Sequence, residues 1–99
     1  MVEYEGMLFD WDVDKAKENE KKHGVTFREA MTAFADEYAQ LDDDDEHSEG
    51  EERFILIGYS TNTRLLMVCH CYRESDTVTR IISARKANPH ERKKYEERG

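Results

Sequence analysis

The sequence predicts an α+β domain: one antiparallel sheet built as a meander, with two helices before it and one after it. Three observations carry this. Residues 64–73 are apolar on both faces, with Leu65, Met67, Cys69 and Cys71 on one and Leu66, Val68, His70 and Tyr72 on the other. That is the pattern of a strand in the interior of a sheet. Alternating runs at 53–59 and 77–84 flank it, joined through Ser60-Thr61-Asn62-Thr63 and Glu74-Ser75-Asp76. Turns this short connect antiparallel neighbours. Before the strands, Phe27, Ala30, Met31 and Phe34 recur at helical spacing. The chain of 99 residues forms one domain, 1–99, with one modest core.

Met7-Leu8-Phe9 reads as the first strand. Asp10-Trp11-Asp12-Val13-Asp14 has the spacing with which a calcium loop begins. Lys15 and Lys21, however, stand where that loop needs its glycine and its bidentate glutamate, so calcium is rejected. Asp12 instead suits the N-cap of a helix over 13–23, with Asp14 in its first turn and Gly24 at its C-terminal cap. The least charged face of that helix is Ala16, Asn19, Glu20 and His23. His23 has two readings: a helix-end histidine satisfied by the dipole and by Asn19, or a proton carrier. Thr26 and Glu29 predict a capping box opening a second helix that ends near Asp36. Residues 38–41 read as a short strand, and 42–52 as an acidic, solvated loop. At the far end, Asn88, Pro89 and Glu91 predict an N-cap, a first helical position and a capping box for a helix running to Arg98.

The strand that feeds this last helix organises the candidate chemistry. Alternation places Arg80, Ile82 and Ala84 on one face, and Ile81, Ser83 and Arg85 on the other. A strand seldom carries two arginines without a task for them, because an unpaired guanidinium is costly to desolvate. Charge is divided unevenly along the chain. Residues 1–52 hold 18 Asp and Glu against 5 Lys and Arg, a net of −13; residues 53–99 hold 5 against 10, a net of +5, giving −8 together. The average argues against nucleic acid, whereas the asymmetry permits it. Arg53, Arg80, Arg85 and the basic last helix are expected to line one positive surface, with the 42–52 loop directed elsewhere.

Other chemistries are absent. There is no Gly-rich phosphate loop and no nucleophile elbow. Cys69 and Cys71 share a strand face without disulfide geometry and read as reduced core residues of a cytoplasmic protein. His70 points away from both, which argues against zinc. No run is long and apolar enough for a signal peptide or a membrane span. What remains are bidentate donors suited to phosphate, Arg53, Arg73, Arg80 and Arg85, and proton-transfer candidates, His23, His47, His70 and Glu49. Metal-free RNA cleavage needs a base, an acid and cations. The bland alternative is that these arginines pair with the many carboxylates.

A long, ordered set of motifs resembles the BrnT toxin family. It comprises Phe9-Asp10-Trp11-Asp12, Lys15-Ala16, Asn19, Lys22-His23-Gly24-Val25, Phe27 with Glu29-Ala30, His47 to Arg53, Gly58, Leu65-Leu66, and Arg80 to Ala87 with Glu91 and Tyr95. The resemblance implies a RelE-like fold and a ribonuclease toxin. It also implies a BrnA antitoxin with a ribbon-helix-helix DNA-binding part, and a complex that represses its own operon. It marks Lys22, His23, His47, Glu49, Arg53, Arg80, Ser83, Arg85 and Tyr95. The expected activity is metal-independent endoribonuclease cleavage that blocks translation. His23, His47, Arg53, Arg80 and Arg85 are its catalytic candidates, and Lys22, Arg73, Lys86 and Arg92 its RNA contacts. No cofactor or metal is expected. The partners are RNA and the antitoxin, operator DNA being reached only through the latter, in a toxin–antitoxin heterotetramer away from membranes. Two alternatives stay open: a non-catalytic antitoxin-binding module, and a regulatory domain that binds metal through the acidic loop.

Overall fold

The computed structural model describes residues 1–47 and 50–97, with the backbone alone for His47. The chain runs β1 (Val2–Tyr4), β2 (Met7–Asp10), α1 (Val13–His23), α2 (Phe27–Thr32), β3 (Gln40–Asp43), β4 (Phe54–Tyr59), β5 (Leu65–Arg73), β6 (Val78–Lys86) and α3 (Pro89–Glu96). Short 3-10 turns follow α2 at Ala33–Ala35 and β3 at Asp45–His47. The strands lie side by side in the order β1-β2-β6-β5-β4-β3. The meander β4-β5-β6 is antiparallel throughout, and the long strand β5 is interior, as its two apolar faces require.

Local signals place the helices. Asp12 accepts hydrogen bonds from the Asp14 and Lys15 amides, and Gly24 ends α1 in the left-handed region at φ 70°. Asn88 and Glu91 close a reciprocal capping box on α3, with Pro89 at its start. At α2 only half the expected box forms. Thr26 caps the Glu29 amide, but the Glu29 carboxylate turns to Arg64 and Ser60 instead. This pairing ties α2 to the β4–β5 turn, and Arg64 holds the buried Glu29 carboxyl below its ordinary range.

The sheet departs from expectation in three ways. An extra edge strand, β1, pairs with β2 through the turn at Glu5-Gly6. Strand β2 pairs with β6 in parallel, so the sheet is mixed rather than wholly antiparallel. Strand β3 extends into the acidic run and reaches Asp43.

A bulge in β6 decides which of its side chains face the helices. Ser83 lies opposite Cys69, yet Ile81 lies opposite His70, so Ile82 has no partner across the ladder. The extra residue resets the alternation. Ile81 and Ala84 therefore both join the core under α1 and α2, with Phe9, Phe27, Met31, Leu56, Leu66 and Val68. Arg80, Ser83 and Arg85 all point to the opposite face, correcting the split that simple alternation gives. On that opposite face, α3 lays Tyr95 across Ile57, Leu65 and Met67 as a second small core. Among the described residues, α3 is the α-helix that packs on this face.

Candidate functional site

The face left open by α3 is built from four adjacent strands, β2, β6, β5 and β4. Register sets Cys71 opposite Arg80, Cys69 opposite Ser83 and Met67 opposite Arg85 on β5 and β6. Arg73 ends β5. Asp10 on β2 is in register with Arg80. Arg53 immediately precedes β4, and its charge acts on Cys69 and on Glu51. The face thus gathers Arg53, Arg73, Arg80, Ser83 and Arg85 from positions up to 32 residues apart.

Each of three arginines meets a carboxylate. Arg85 presents both ends of its fork to Glu91, at 2.8 and 2.9 Å. The same Glu91 caps α3, so Arg85 fastens the first turn of that helix to β6. Burial works to raise the Glu91 carboxyl, but the Arg85 and Asn88 hydrogen bonds outweigh it and hold it below its usual value. Arg73 pairs with Glu51 from the acidic stretch. Arg80 has the weakest of the three, a single 3.4 Å contact to Asp10 Oδ2. Asp10 Oδ1 is shielded from solvent and has no hydrogen-bond partner among the described residues.

The acidic stretch is not directed away from the arginines. Asp44 is buried and accepts a hydrogen bond from the Cys69 thiol at 3.6 Å. Glu51 pairs with Arg73, and Asp42 with Lys94 on α3. The expectation of one continuous positive surface therefore fails: carboxylates alternate with the cations. The physical reason is the extension of β3, which pairs residues 40–43 with β4 and leaves Asp44 bonded to the Arg53 carbonyl, its side chain reaching Cys69. Both thiols are pushed up to about 11 by burial, with Asp44 and Glu51 adding to it. They stay protonated, and neither is joined in a disulfide.

Helix α1 supplies the next group. Beyond Arg80 the outer edge of β6 has no strand beside it, and Asn19 takes that place. Its amide donates to the Ala84 and Val25 carbonyls at 2.9 Å, and its oxygen accepts from the Ala84 N–H at 3.0 Å. Asn19 is thus committed to the strand and not to His23. The result is an open cavity of about 260 Å³ in which Lys22 and His23 face Ile82 and Ser83, with Lys15 and Glu18 at its rim. Ser83 belongs both to this cavity and to the arginine face.

The remaining expectations divide clearly. His70 is fully buried against Phe34; its Nδ1 faces the Val68 carbonyl and its Nε2 the Tyr72 hydroxyl. Burial lowers it to about 4, so it is a neutral core residue and no proton carrier at a surface site. Tyr95 is buried too, and its hydroxyl donates to Asp36 Oδ2 at 2.6 Å. Lys86 and Arg92 line a different cavity, beyond the end of β6. The expectations for Glu49 and for the His47 side chain lie outside the described residues. Sequence reasoning missed Asp10, Asn19, Glu51 and Glu91 as partners. Glu91 alone had a local signal, its capping-box position just after Arg85. Among the described residues, no three His, Cys, Asp or Glu side chains are grouped to hold a metal ion.

Residues 11–91 match the family model of BrnT, the ribonuclease toxin of type II toxin–antitoxin systems. The chain belongs to this family. The BrnT match spans Lys22, His23, Arg53, Arg73, Arg80, Ser83, Arg85 and Lys86 and ends at Glu91, so Arg92 and Tyr95 lie beyond it. The fold is that of a solved BrnT, the Brucella abortus ribonuclease toxin known from a 1.1 Å crystal structure. The two share 21% identity with a TM-score of 0.64, over 83% of this chain and 97% of that one. No curated protein sequence matches the chain. Among the described residues, no helix is long and apolar enough to cross a membrane.

Proposed function

We propose that this BrnT-family chain is an endoribonuclease that cleaves RNA by metal-independent transesterification. It blocks translation in the cytoplasm and is neutralised by a BrnA-type ribbon-helix-helix antitoxin, through which alone the toxin–antitoxin heterotetramer reaches operator DNA. The observation that carries the reading is the bulge at Ile82. It turns Arg80, Ser83 and Arg85 onto one open face, next to the cavity that holds Lys22 and His23.

In this mechanism the 2′-hydroxyl attacks phosphorus, His23 accepts its proton, and a protonated group returns one to the 5′-oxygen that leaves. Arg80 holds the non-bridging oxygens as negative charge builds on them. Its contact with Asp10 is long and single, and the side chain keeps a third of its surface exposed. A phosphate offering two oxygens to the fork displaces such a contact. Arg85 acts by positioning, since its fork is filled by Glu91 and its service is to fix α3. Arg53, Arg73 and Lys22 receive the flanking phosphates, and His47 is retained as the second proton carrier.

A second reading is favoured by a specific observation: Asp10, Glu51 and Glu91 oppose the arginines, as suits a surface made to be covered by a protein. It is a non-catalytic module that binds antitoxin in operon autoregulation. Cleavage of RNA by the purified chain with chelator present separates the two. Arg80→Ala is expected to lower the rate about 10²–10³-fold while leaving the fold and antitoxin capture intact. Arg80→Lys fails similarly, because lysine keeps the charge and loses the fork. Wild-type protein that captures antitoxin but cuts no RNA would refute the enzyme and leave the module. Cleavage that vanishes only with chelator would refute the metal-free route.

A further inference from the structure

Outside the arginine face, the strongest feature that the cleavage mechanism leaves unused is the cavity where β5 begins and β6 ends, which brings together Lys86 and Arg92, two of the expected RNA contacts. It measures about 310 Å³ and is lined by Tyr59, Arg64, Lys86 and Arg92, with Thr63, Leu65 and Ala87 completing its wall. That volume sits at the lower end of the roughly 300–1,000 Å³ typical of small-ligand sites. Three cations line it, and no carboxylate does. Arg64 is already committed: its fork grips Glu29 and donates to the Gly24 carbonyl, so it is rigid and electrically balanced. Lys86 and Arg92 differ. Among the described residues, neither lies within ion-pair distance of a carboxylate. In a chain of net charge −8, where Arg73, Arg80 and Arg85 each face an acid, two unneutralised cations sharing one concavity are suited to an anion.

An aromatic ring completes the arrangement. The Tyr59 hydroxyl accepts a hydrogen bond from Arg92 at 3.2 Å, which holds that guanidinium at the cavity mouth. The Tyr59 ring packs edge-to-face on Tyr95 and still leaves 37% of the residue exposed. A fixed, half-exposed aromatic beside two cations is the pairing by which single-stranded nucleic acid is held. A base stacks on the ring while the cations take the backbone phosphate.

We infer that this cavity is a nucleotide subsite for single-stranded RNA: Lys86 and Arg92 bind one phosphate, and Tyr59 stacks the adjoining base. The inference rests on the ribonuclease reading for its choice of ligand. The subsite lies about 20 Å along β6 from Arg80, by strand rise. It therefore fixes the substrate strand away from the bond that is cut and supplies affinity and register, not chemistry.

The test uses the whole chain and two probes. The first is a short single-stranded 2′-O-methyl oligoribonucleotide, which lacks the attacking hydroxyl and stays intact. Binding is followed by anisotropy against salt. The Lys86→Ala/Arg92→Ala double variant is expected to bind about tenfold more weakly, with a log–log salt slope shallower by about 0.7 for the lost phosphate contact. Tyr59→Leu is expected to weaken binding about tenfold without changing the slope, since stacking releases no counterions. The second probe is uridine monophosphate, followed by the amide resonances of residues 59–65 and 86–92, which it is expected to shift. If the double variant keeps wild-type affinity and slope, the subsite is refuted and the ribonuclease reading stands. If the oligomer fails to bind while uridine monophosphate shifts those amides, the cavity takes only a free nucleotide, and the RNA subsite falls together with the ribonuclease reading. If neither probe touches these residues, or a glutamate-rich peptide displaces the nucleotide from them, the site belongs to no nucleic acid.

Discussion

Asn19→Ala removes the side chain that stands in for a missing strand. Asn19 is 7% exposed, and the backbone groups it serves belong to Val25 and Ala84, both fully buried. Three buried groups lose their partner at once: the Ala84 N–H, the Ala84 carbonyl and the Val25 carbonyl. A buried polar group left unsatisfied costs about 1–3 kcal/mol. The adjoining open cavity admits water to the outermost of them, which returns part of the loss. The expected destabilisation is about 3 kcal/mol, a large fraction of the roughly 5–15 kcal/mol that holds a domain of this size. That corresponds to a fall in Tm of about 15 °C. Urea unfolding followed by Trp11 fluorescence measures it, and amide exchange at Ala84 localises it. Asn19→Asp adds a sign test. A carboxylate facing two carbonyls is disfavoured when ionised, so its folded pKa rises above the unfolded value. Stability is then highest at low pH, with the carboxyl protonated, and falls as pH rises from the unfolded towards the folded pKa. If Asn19→Ala unfolds within about 0.5 kcal/mol of wild type and Ala84 keeps its protection, the claim that Asn19 closes the strand edge is wrong.

Two further outcomes concern the buried face and the backbone. Burial lowers His70 to about 4, so the unfolded chain binds a proton that the folded one refuses. Stability should be fully present above about pH 6.5 and fall as pH drops towards 4, by an order of 3 kcal/mol. His70→Leu should flatten urea-derived stability between pH 6.5 and 4.5, above the range where Glu29 and Glu91 titrate; an unchanged slope would place the effect elsewhere. Gly58→Ala puts a Cβ 2.8 Å from the Ala33 carbonyl oxygen and 3.1 Å from Ala39 Cβ, where β4 passes under the 3-10 turn. A cost of about 2 kcal/mol is expected from this overpacking, and a neutral substitution in thermal unfolding would show that the turn does not press on β4.

How much of this was legible in the sequence depended on how far each signal had to reach. Asp12, Gly24, Thr26, Asn88 and Pro89 announced the helix ends because a cap acts on backbone groups within a few residues. Residues 64–73 announced a central strand because burial on two faces must be written into both alternating sets. The arginines were equally visible as residue types, but their arrangement was not. One unpaired residue, Ile82, moved Arg80 onto the face of Ser83 and Arg85, and a bulge is set by the strand across the ladder. The parallel β2–β6 pairing set Asp10 beside Arg80, 70 residues away. Glu51 met Arg73 from the stretch between β3 and β4, 22 residues away, and Asn19 met Ala84 only where the sheet ran out of strands. Sequence alone determined the elements, their caps and the stock of cations, since those depend on backbone dihedrals and periodicity. The tertiary structure decided which cations are opposed by carboxylates and which are left open, because that depends on contacts between residues the chain keeps far apart.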